Sequence, residues 1–95
     1  MSNEREVLAT AKFSAVSGDE KYTAVLELIP SGCTAYGNRH ALLFRTHEDG
    51  KRLGMEQCFD ARYDRRFNTV ETFKANALDF VREQLRDDFT ITPIE

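Results

Sequence analysis

The chain contains no tryptophan, two prolines, two cysteines and no long apolar run. Each shortage excludes something. Without about 18 consecutive apolar residues there is no candidate for a helix that crosses a membrane. The opening residues, Met1-Ser2-Asn3-Glu4-Arg5-Glu6, carry both signs of charge and no apolar stretch of signal-peptide length, so a cytoplasmic setting is expected. In that setting Cys33 and Cys58 are expected to be reduced. Together with His40 and His47 they fit no zinc-ligand spacing, so neither a metal nor a cofactor is expected. No linker rich in proline, glycine or serine and no repeat divides the chain, so residues 1–95 read as a single α+β domain. Pro30 and Pro93 read as strand ends.

Charge of one sign is also lacking. Thirteen basic and sixteen acidic residues give a net charge of −3, which offers no general attraction to nucleic acid or to an anionic membrane. The balance shifts along the chain. Residues 36–67 hold seven basic and five acidic side chains, and the segments on either side are acidic.

Apolar residues make up 41% of the chain and charged residues 31%, proportions that suit a folded domain with a modest core. Seven phenylalanines and three tyrosines supply most of its large volume. The first clear pattern is a hairpin. Val7, Ala9, Ala11, Phe13 and Ala15 alternate with polar residues, and so do Tyr22, Ala24, Leu26 and Leu28. Gly18-Asp19 between them suits a tight turn, with glycine where φ must be positive. The turn sets Phe13 against Ala24, Ala11 against Leu26 and Ala9 against Leu28, so both apolar phases fall on one side. The alanines keep that side low enough for a helix to approach closely.

A second hairpin reads from residues 41–47 and 52–63 around Asp49-Gly50. That turn predicts Thr46 opposite Leu53, Phe44 opposite Met55 and Leu42 opposite Gln57. Arg45, His47, Arg52 and Glu56 then fall on a mostly wet opposite side, with Leu43 and Cys58 among them. Asn68 followed by Glu71 predicts a helix start with a capping box. Val70, Phe73, Ala77, Val81 and Leu85, flanked by Leu78 and Phe80, predict its apolar face, with an end near Arg86-Asp87. Phe89-Thr90-Ile91-Thr92 predicts a short edge strand. The expected fold is an antiparallel four-stranded meander sheet, one C-terminal amphipathic helix on one face, and a short final edge strand, in the order ββββαβ.

Two stretches stand out as candidate binding sites. Around the start of the helix, Arg62, Tyr63, Arg65 and Arg66 combine basic and aromatic side chains. The two last arginines lie just before a helix N-terminus, where free backbone N–H groups also favour anions. Tyr63 or Phe67 could stack a base. The competing reading is a solvated ion-pair ladder, with the aromatics closing the core. In the long connection between the hairpins, Tyr36 and Arg39 form a pair suited to recognition. Cys33 has no evident base and orienting group, so no catalytic residues are expected. Paired carboxylates occur only at turn and helix-end positions. The chain is therefore expected to be a non-enzymatic binding or assembly module. Self-association is favoured by its small core and open sheet edges, and a separate protein partner is also compatible. The alternative is a weak single-stranded nucleic-acid binder. No membrane contact is expected.

Overall fold

In a computed structural model, residues 7–31, 39–48, 53–61 and 64–94 are described. They form β1 (Ala9–Ser17), β2 (Glu20–Ser31), β3 (Arg39–Glu48), β4 (Leu53–Asp60), a 3₁₀ turn (Arg65–Phe67), α1 (Val70–Gln84) and β5 (Thr90–Ile94). All five strands pair antiparallel in one sheet, in the order β4-β3-β2-β1-β5, with the helix late in the chain. The expected ββββαβ order holds, and the last strand lies on the outside of β1.

The first hairpin has the expected register, Phe13 against Ala24, Ala11 against Leu26 and Ala9 against Leu28. It closes at Ser17 and Glu20, and Gly18 takes φ +58° in the turn. Each proline is the penultimate residue of its strand, so the strands stop one residue beyond the expected positions. Pro93 is tolerated because the ladder alternates: Lys12–Ile94, Ser14–Thr92 and Val16–Thr90 exchange hydrogen bonds with β1, and the nitrogen of Pro93 faces outward.

The second hairpin departs from expectation by two residues. Thr46 faces Met55, Phe44 faces Gln57 and Leu42 faces Phe59, whereas His47 faces Leu53. Gly54 is thus an extra residue, a β-bulge opposite the Thr46–His47 step. Half of the displacement arises there, and the rest falls at the turn, outside the described residues. A side chain at Gly54 would crowd Thr46, since a Cβ there would lie 3.2 Å from the threonine Oγ1. The faces survive the slip because side-chain direction repeats every two residues. Arg45 consequently lies directly opposite Glu56, and its ion pair is with Glu27 on β2 at 2.9 Å.

Thr69, not Asn68, caps the helix. Its hydroxyl accepts from the Thr72 backbone N–H at 3.1 Å, and the Thr72 hydroxyl accepts from the Thr69 backbone N–H at 3.1 Å. Glu71, expected in the box, instead sits in the first turn, where its charge suits the helix dipole. The helix ends at Gln84, with Leu85 as C-cap, two residues before the expected Arg86. Thr69→Ala should lower stability by about 1 kcal/mol in urea denaturation, and Asn68→Ala should change it by much less.

The core lies between α1 and the sheet. Leu26, Leu28, Leu42 and Phe44 meet Phe67, Phe73, Ala77, Phe80 and Val81, all buried. Phe67 meets Phe73 and Phe80 edge-to-face, at ring separations of 6.2 and 5.4 Å. Val70, expected on the apolar face, is 38% exposed, because at the first helical position it lies beyond the sheet contact. The helix packs over β1, β2 and β5. On the same face, β4 is covered less fully: Met55 and Phe59 are half-buried and Gln57 is exposed. The opposite face is drier than expected, with Val25, Ile29, Ala41 and Leu43 buried.

Candidate functional site

The stretch before the helix owes its shape to Asp64. Its carboxylate accepts from the Arg66 backbone N–H at 3.0 Å and caps the 3₁₀ turn. The same carboxylate accepts from Arg66 Nε at 3.2 Å and Nη2 at 3.0 Å. Arg66 Nη1 reaches across to Glu83 at 2.9 Å. The guanidinium lies 5.0 Å from the centre of the Phe67 ring and 6.0 Å from that of Phe80. The Arg66 hydrogen bonds hold the Asp64 carboxyl below its usual range, and the two acids push the Arg66 guanidinium upward. Two carboxylates and two rings thus engage Arg66, which ties the 3₁₀ turn to α1.

Arg65 is exposed beside it. Tyr36, Arg62 and Tyr63 lie outside the described residues, and of Arg39 only the backbone is described, opposite Ser31 in the β2–β3 ladder. The topology brings the start of β3 and the end of β4 together, since Ala41 faces Asp60. Arg39 and the Arg65-Arg66 turn therefore belong to the same end of the sheet. On the helix-free face, the acids Glu27 and Glu56 flank Arg45, so the described residues of this face form no uninterrupted basic track for a phosphate backbone.

The outer edges of the sheet differ in a way the amino-acid pattern alone does not reveal. β5 is five residues long and contains Pro93, features that discourage further pairing. β4 is eight residues long and contains neither proline nor lysine. Ladder alternation turns Met55, Gln57 and Phe59 toward β3 for backbone hydrogen bonds. Glu56 and Cys58 direct their N–H and C=O groups to the outer edge, which has no strand partner among the described residues. Cys58 is a free, exposed thiol.

A cleft lies at the opposite end of the sheet from the arginines. Tyr22, Thr46, Glu48, Met55, Leu85 and Phe89 are among its walls. The Tyr22 and Phe89 rings meet edge-to-face with centres 5.8 Å apart. Sequence reading missed this cleft, although a glycine inside a strand, Gly54, is the kind of residue that marks a bulge or a close approach. Among the described residues, no group of three or more His, Cys, Asp or Glu side chains could hold a metal ion. No described helix is long and apolar enough to cross a membrane. Comparison with protein-family models, with curated proteins and with solved structures finds no match.

Proposed function

We propose that this protein is a non-enzymatic assembly module that forms a homodimer by antiparallel pairing of β4 with β4 of a second copy. The observation that supports it is the outer edge of β4, which has no strand partner among the described residues and is compatible with itself in one of its three central registers. A two-fold axis through Glu56 would set two carboxylates face to face. An axis through Cys58 would set Glu56 against Asp60 twice. An axis through Gln57 avoids both clashes. It places Glu56 opposite Cys58, Met55 opposite Phe59 and Gln57 opposite itself, where each amide can donate to and accept from the other.

In that register the helix-side face continues across the junction. Met55 and Phe59, half-buried in one copy, would bury each other's flanks in the pair. Phe59 is already braced by Phe80, at a ring separation of 5.2 Å. The product is a ten-stranded sheet with both helices on one face, a self-complementary two-fold arrangement. Sedimentation velocity at micromolar concentration tests the reading. A species of twice the 10.9 kDa chain mass is expected. A clean monomer would overturn it.

A further inference from the structure

We infer that the cleft between the bulged end of β4 and the C-terminal end of α1 binds a lysine side chain of a partner polypeptide. The inference is independent of the dimer. The cleft has a volume of about 320 Å³ and lies in the size range of small-ligand sites. Gly54 at the bulge is part of its lining, where the absence of a side chain lets Thr46 Oγ1 and Glu48 approach β4 closely.

Three observations give the cleft its chemistry. Thr46 is the buried polar residue of the described core, 5% exposed. Its hydroxyl lines the cleft and makes no hydrogen bond among the described residues. The residue is buried but its Oγ1 is not fully enclosed, so it opens to the cleft and is free to accept from a ligand donor. Glu48, two residues on and on the same side of β3, is exposed and makes no ion pair among the described residues. Its two oxygens and Thr46 Oγ1 make three acceptors, the number of donors on an ammonium group. Tyr22, Met55, Leu85 and Phe89 offer apolar and aromatic surface for the aliphatic stem.

The protein already seats a cation of its own at the mouth of this cleft. Arg86 Nη2 donates to Glu20 at 2.8 Å, its Nε donates to Asp88 at 3.2 Å, and its guanidinium lies 4.9 Å from the Phe89 ring centre. Glu20 also accepts from the Tyr22 hydroxyl at 3.3 Å. Those contacts engage Glu20 and leave Glu48 and Thr46 for an incoming donor. An anionic ligand would meet Glu48 directly, and Arg86 already has two carboxylates, so the sign of the ligand follows.

The test is an amide-resolved NMR titration with Nα-acetyl-lysine N-methylamide, against the norleucine analogue, which lacks the ammonium. Saturable shifts at Tyr22, Thr46, Glu48, Met55 and Phe89 are expected with the lysine compound at about ten millimolar, the range of a single weak side-chain contact. The norleucine compound should give none. Glu48→Gln should weaken binding about tenfold, the loss of one charge-assisted contact, with the rest of the spectrum unchanged. Gly54→Val should abolish binding by crowding Thr46 Oγ1 and Glu48. Should Gly54→Val fail to fold, Glu48→Gln still decides. Absence of saturable shifts, an equal response to norleucine, or full affinity in Glu48→Gln would each overturn the assignment.

Discussion

Val81→Asp should leave no cooperatively folded protein at room temperature. Val81 is fully buried in the seam where α1 meets the sheet, within the cluster that contains Leu26, Phe44 and Phe73. No basic side chain belongs to that cluster, so a carboxylate there would be desolvated without a partner, at a cost of several kcal/mol. A domain of this size has about 5–15 kcal/mol of total stability. Loss of the valine methyl contacts adds to the same side. Val70→Asp supplies the contrast. Val70 is 38% exposed at the first helical position, where an acid also suits the dipole, so its melting should stay within about 0.5 kcal/mol of the parent. Far-UV circular dichroism through a thermal melt measures both. A Val81→Asp melt that overlays the parent would mean the helix face is assigned wrongly.

Cys58→Pro should convert the dimer to a monomer and leave the monomer fold intact. In the alternating ladder the Cys58 N–H faces the outer edge, so proline there takes no hydrogen bond from the β3–β4 pairing. It removes one of the two bonds in each Glu56–Cys58 rung of the dimer and sets a ring against the incoming strand. Two lost bonds at about 1–1.5 kcal/mol each weaken association about 100-fold. Sedimentation velocity on parent and variant, with matched circular dichroism spectra, reads the effect. A proline variant that stays dimeric would move the interface off β4.

Local chemistry made much of this fold readable from the residues. Gly18-Asp19 determined a turn, the turn determined a register, and that register put Phe13, Ala24, Leu26 and Leu28 on one side. The helix face followed from the spacing of Phe73, Ala77 and Val81. Where the reading slipped, two local choices were close in energy. Asn68 and Thr69 are both good caps, and Thr69 wins because Thr72 returns its hydrogen bond. Asp49-Gly50 is a strong turn signal, but it carries no information about a bulge four residues later. That bulge depends on Gly54 and Thr46 meeting across the ladder, a contact defined only once the strands have paired.

The candidate sites were less legible, for the same reason. Asp64, two residues from Arg66, is a partner the sequence could suggest, but the second carboxylate, Glu83, is seventeen residues away and meets it only once the helix has packed. The cleft gathers Tyr22, Thr46, Met55 and Phe89 from four separate segments. The open edge of β4 follows from sheet order: β5 could have capped either side, and its pairing with β1 is what leaves β4 exposed.

The most direct test of the proposed dimer is a disulfide at its two-fold axis. With Cys33 and Cys58 both changed to serine, Gln57→Cys places one thiol per chain at the self-facing position. Residues opposed there form a non-hydrogen-bonded pair with Cα atoms about 4.5 Å apart, within the range a disulfide spans. Met55→Cys in the same background is the control, because its thiol would face Phe59 and not another cysteine. Mild oxidation followed by non-reducing electrophoresis should convert most of the Gln57→Cys protein to a covalent dimer and leave Met55→Cys monomeric. Equal cross-linking of the two variants, or none in Gln57→Cys, would contradict the β4–β4 register.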